Sequence, residues 1–150
     1  KSRVTAHWPG IAVGSGGKDL VKEIPRLKSI LSGGDGSAEL GRQIFSLRCA
    51  TCHKLFDEGL EIGPDLTGYE RQNLDFWIPA IVNPSLELRE GYLNYVATMK
   101  DLGGQNTVIS RAEIESMAAS PISMMPPGLL GGLSDDEIRD LFAYLRKEVP

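Results

Sequence analysis

The chain has 150 residues, 41% of them hydrophobic and 24% charged, the balance of one ordinary folded domain and not of a disordered or fibrous chain. Sixteen basic against twenty acidic side chains leave a net charge of −4, which disfavours nucleic acid and anionic membrane surfaces as partners and favours a partner with a basic docking face. No apolar run approaches the roughly 18 residues of a membrane span, and the segment from Lys1 carries no charged-then-apolar export signal, so the expectation is a processed mature form or a domain cut from something longer.

Residues 1–36 hold seven of the seventeen glycines, which predicts a flexible glycine-rich leader ahead of a folded domain over residues 37–150. Inside the leader, Leu20, Val21, Ile24, Leu27, Ile30 and Leu31 recur at roughly helical spacing and predict a short helix, although Pro25 sits badly within it. Over residues 37–49, Leu40, Ile44, Phe45 and Leu47 fall mostly on one helical face, with Gly41 one turn before Phe45. A turn-rich stretch through Gly59, Gly63, Pro64 and Gly68 follows. Leu74, Trp77, Ile78 and Ile81 then mark a second helix that ends before Asn83-Pro84.

Residues 92–99 and 107–109 are β-branched and aromatic around Lys100-Asp101-Leu102-Gly103-Gly104, which predicts a small antiparallel hairpin. Ser110 with Glu113 has capping-box spacing and predicts a short helix to about Met117. Ser134 with Glu137 repeats that spacing ahead of Ile138, Leu141, Phe142 and Leu145. Acidic residues in the first turn and Arg146 and Lys147 at the end of this last helix suit its dipole.

Chemistry concentrates in one place. Of only two cysteines and two histidines, three fall in Cys49-Ala50-Thr51-Cys52-His53, the C-x-x-C-H pattern of covalent haem attachment. Two thiols three residues apart reach the two vinyl groups on one side of a porphyrin, while the next residue turns its imidazole onto the iron. Zinc would need four ligands, and adjacent Cys52 and His53 cannot easily both bind one tetrahedral ion, while His7 is the only other histidine. A redox dithiol would need a βαβ context instead of the helical pattern around Cys49. A disulfide across so short a loop would stabilise little.

An iron held by His53 needs a second axial ligand or an open face. Met124 and Met125, in Ser123-Met124-Met125-Pro126-Pro127-Gly128, are candidates: the prolines and glycine make the segment an extended loop, and a thioether favours ferrous iron and raises the reduction potential. Packing in the core is the alternative use of these methionines, and His7 is an alternative ligand. Tyr69, Arg71 and Trp77 carry donors suited to haem propionates, against the ordinary reading of surface and core residues.

These residues resemble class I c-type cytochromes, and most nearly the haem-binding cytochrome domains abundant in planctomycete and verrucomicrobial proteins. The likeness covers residues 37–147 through the Gly41-to-Phe45 helix, the Cys49-to-His53 motif, Gly63-Pro64-Asp65-Leu66-Thr67-Gly68, Asn83-Pro84-Ser85, Ser123-Met124-Met125-Pro126 and Leu141-Phe142-Ala143-Tyr144-Leu145. It implies a mainly α, cytochrome c-like helical fold around one covalent haem c, with a small β-hairpin inserted between the proximal and distal ligands. It implies His53 and Met125 as the iron ligands, since a methionine directly before proline is often the distal ligand in class I cytochromes. It implies that the Pro64 carbonyl accepts a hydrogen bond from the outer nitrogen of His53, and that the first and last helices cross at Gly41 and Phe45 against Leu141 and Tyr144.

The function expected is a monohaem carrier of single electrons between redox proteins, not an enzyme, exported from the cytoplasm to a periplasm or similar compartment, as a whole protein or as a domain of a larger redox protein. The alternative is a gas or redox sensor, or a haem enzyme, with a displaceable distal methionine. A peroxidase would need a distal acid and base, and residues 37–150 hold no second histidine. The sequence leaves the oligomeric state open.

Overall fold

The computed structural model describes residues 17–99 and 111–148. Among them are four α-helices and one two-stranded antiparallel sheet: α1 (Gly17–Ser32), α2 (Ala38–Arg48), α3 (Leu74–Val82), β1 (Tyr95–Met99), β2 (Ile114–Ala119) and α4 (Asp135–Leu145). The mainly helical fold with a small hairpin is the one expected.

Helix α2 starts where the Ser37 side chain accepts the Leu40 amide, satisfying one of the otherwise unpaired first-turn N–H groups. Helix α4 starts with a complete capping box, Ser134 with Glu137, reinforced by Asp135 and Asp136 in the first turn. It ends at Leu145, so Arg146 is the C-cap and Lys147 lies beyond it. The two helices cross at a close approach. A Cβ at Gly41 would fall on the carbonyl oxygen of Asp140 and stand 2.9 Å from the Tyr144 Cβ, so hydrogen alone fits there. One turn on, the rings of Phe45 and Tyr144 meet at 5.5 Å between centroids.

Around that crossing lies a single core that includes Phe45, Leu55, Ile78, Ile138, Leu141 and Phe142, all essentially inaccessible to solvent. Helix α1, from the glycine-rich stretch, contributes to it: Leu27 and Ile30 are buried in the same cluster, packed against α3 and α4. Ion pairs Lys28–Asp75 (2.5 Å) and Arg26–Asp135 (3.2 Å) bridge the rim of this contact, where exposure limits each to a small contribution. Burying two large apolar side chains, at about 1.5–3 kcal/mol each, outweighs both pairs.

The hairpin runs in register Tyr95↔Ala119 and Ala97↔Met117, with an irregularity between Thr98 and Met99. Residues 107–109, expected as the second strand, lie outside the described residues. The helix expected to reach Met117 does not form: Arg111–Glu113 is a 3-10 turn, and Ile114–Ala119 is strand β2. A helix of two turns is costly to nucleate, and pairing with β1 satisfies the same backbone groups without that cost. Strand β2 is exposed from Glu115 to Ala119.

Candidate haem site

Helix α2 runs directly into the cysteines. The amide of Cys49 still bonds to the Phe45 carbonyl (2.8 Å), and then the amides of Cys52 (3.0 Å) and His53 (2.8 Å) both turn back onto the carbonyl of Cys49. One turn therefore carries both thiols and the imidazole. The cysteines are unpaired, Cys49 partly buried and Cys52 exposed. Burial pushes the Cys49 thiol up to about 11, so it is protonated at neutral pH.

The loop after His53 folds back over the motif. The Leu60 amide bonds to the Ala50 carbonyl (2.9 Å) and the Gly63 amide to the Cys52 carbonyl (2.6 Å). This return places the His53 ring against Gly63 and Pro64. Nδ1 of His53 lies 2.9 Å from the Pro64 carbonyl oxygen. A carbonyl oxygen only accepts, so Nδ1 carries the proton and Nε2 keeps its lone pair for a metal. A Cβ on Gly63 would stand 2.6 Å from Cε1 of the same ring; glycine is what leaves the imidazole room. Further along, Phe56 donates its amide to the Thr67 hydroxyl (2.7 Å) and Thr67 donates its amide to Asp65 (2.8 Å), which pins the rest of the loop.

A second tether ties the motif to the methionine segment. Arg48, immediately before Cys49, donates through Nη1 to the carbonyls of Leu129 (2.8 Å) and Gly131 (2.9 Å). Met125 is partly buried, whereas Met124 is 65% exposed. The amide of Met125 donates to the Ser123 hydroxyl (3.1 Å), and the amide of Ser123 donates to the Ser85 hydroxyl (3.0 Å).

The residues with donors suited to propionates are largely engaged elsewhere. Trp77 is buried and gives its indole N–H to the Glu70 carbonyl (3.3 Å). Arg71 is buried, stacks 4.7 Å above the Phe56 ring and donates through Nη1 to the Lys147 carbonyl (2.5 Å); its Nε has no hydrogen-bond partner among the described residues. The Tyr69 ring lies 5.9 Å from that of Phe76 and beneath the Arg89 guanidinium. His7 lies outside the described residues. Sequence reasoning missed Arg48, because its partners are backbone carbonyls 81 and 83 positions away.

Two unpaired thiols on one turn beside an imidazole with a free Nε2 are the donor set that covalent haem requires. Among the described residues no group of three or more His, Cys, Asp and Glu side chains converges on a point that could hold a metal ion. The cytochrome c family model matches residues 38–148, most of the chain, and the chain belongs to the cytochrome c family. No curated protein matches it. The cofactor is haem c, bound covalently, and the protein is a haem-based electron carrier. No described helix is long and apolar enough to cross a membrane.

Proposed function

We propose that Cys49 and Cys52 hold one haem through thioethers, that His53 and Met125 are its axial ligands, and that the protein relays single electrons between redox protein partners without acting as an enzyme. The observation that carries this reading is the His53–Pro64 hydrogen bond at 2.9 Å beside a pair of free thiols on the turn that follows α2. When bound, the haem iron supplies one-electron chemistry by alternating between ferric and ferrous states. The chain's own residues do the rest. Pro64 fixes the ring orientation of His53 and makes it a more basic ligand. Met125 would supply a soft thioether ligand, which favours the ferrous state. The acidic net charge of −4 suits partners with basic docking faces.

The compartment is an exported one, periplasmic or equivalent, and the chain serves as a free carrier or as the carrier domain of a longer redox protein. The finer likeness to planctomycete and verrucomicrobial haem-binding domains is supported by the hairpin between the motif and the methionine loop.

Met125→Ala tests the reading. The ferric protein should show the weak far-red band of sulfur-to-iron charge transfer, and the ferrous protein should bind carbon monoxide poorly. Met125→Ala should abolish the band, open the iron to carbon monoxide and lower the reduction potential, while Met124→Ala does none of these. Rapid carbon monoxide binding by the unmodified protein would move the reading to a sensor or enzyme.

A further inference from the structure

We propose that Ser85 and Ser123 are positioning residues that hold Met125 in ligating register, an inference that rests on Met125 being the distal ligand. Past Ser120, the segment to Met125 belongs to no helix or strand, so no backbone ladder fixes it. What fixes it is a relay of hydroxyls. Ser85, three residues past the end of α3, accepts the Ser123 amide at 3.0 Å, and the Ser123 hydroxyl accepts the Met125 amide at 3.1 Å. Upstream, Asn94 grips the same segment from the base of the hairpin: its carbonyl accepts the Ser120 amide (2.7 Å), and its side-chain amide donates to the Ile122 carbonyl (3.0 Å).

Register matters here because the loop carries two adjacent sulfurs, and Met124 is 65% exposed. A neutral thioether is a weak ligand that binds well only when its loop is held in place beforehand. The hydrogen bond at the Met125 amide distinguishes that residue from its neighbour. Loss of one such bond corresponds to a roughly fivefold rise in the population with the ligand detached.

Carbon monoxide binding to the ferrous holoprotein reads that population, and amide hydrogen exchange at Met125 reads the relay directly. Ser85→Ala and Ser123→Ala should each speed carbon monoxide binding roughly fivefold. The double variant should go no further than either single one, since both cut the same chain of bonds. Ser85→Thr, which keeps the hydroxyl, should retain the parent rate, and the Met125 amide should exchange faster in Ser123→Ala. A role in folding alone would lower the melting temperature and leave the carbon monoxide rate unchanged. The proposal is overturned if both alanine variants bind carbon monoxide at the parent rate while Met125→Ala binds it fast, an outcome that leaves Met125 as the ligand. If Met125→Ala itself binds no faster than the parent, the ligand assignment fails and the relay's purpose with it.

Discussion

Nδ1 of His53 donates to the carbonyl oxygen of Pro64 at 2.9 Å, and the ring reaches that carbonyl only because residue 63 has no side chain. A Cβ there would stand 2.6 Å from Cε1 and 2.9 Å from Nδ1. Gly63→Ala should therefore push the ring off its acceptor while leaving the thiols in place. Without the bond the imidazole is a poorer electron donor and ferric iron loses support, so the reduction potential should rise. The expected size is on the order of 40 mV, one hydrogen bond of about 1 kcal/mol expressed in a one-electron couple. Equilibrium redox titration measures it, and an unchanged potential would separate Gly63 from ligand tuning.

The crossing of α2 and α4 admits no side chain at position 41, where a Cβ would meet the backbone of Asp140 and the Cβ of Tyr144. Backbone cannot step aside as a flexible side chain can. Gly41→Leu should cost about 3 kcal/mol or more, at or beyond the upper end of core overpacking, and even Gly41→Ala should destabilise despite the better helix propensity of alanine. Thermal melting of the holoprotein is the check; an unchanged midpoint for both variants would remove the close-crossing account.

Glu58 fastens the loop after His53 to both crossing helices. It accepts from Ser46, from Arg42 (2.7 Å) and from the Tyr144 hydroxyl (3.3 Å), and these bonds, led by that of Ser46, hold its carboxyl below the ordinary 4.5. A carboxylate with a depressed folded-state pKa stabilises fully above its unfolded value, and that contribution fades as pH falls through the folded value. Glu58→Gln should thus cost about 1–2 kcal/mol at pH 7, and the gap between parent and variant should narrow as pH drops below about 4.5. Chemical denaturation of both proteins across that range tests the sign. A gap that widened in acid would contradict it.

What the sequence could disclose was local. The C-x-x-C-H run is contiguous, the helical stripes of α2, α3 and α4 repeat within one or two turns, and the cap at Ser134 needs only Glu137. The strand at Ile114–Ala119 was not legible: Ser110 and Glu113 supply a helix-start signal within four residues, whereas the pairing that decides the matter reaches back to Tyr95–Met99. Leu27 and Ile30 showed helical spacing, but the glycines around them gave no sign that they enter the main core. At the site, Arg48 and Ser85 act through backbone groups far along the chain, at Leu129, Gly131 and Ser123. A side chain that bonds to backbone leaves no complementary residue type for a reader to find.

Covalent attachment at Cys49 and Cys52 is the claim on which the rest depends, and intact mass after acid and organic extraction measures it most directly. Expressed in a host with a cytochrome c maturation system, the chain should keep the mass of one haem through denaturation, and should lose both attachment bonds only when Cys49 and Cys52 are both replaced. A mass equal to the bare chain, from protein matured under those conditions, would contradict the account.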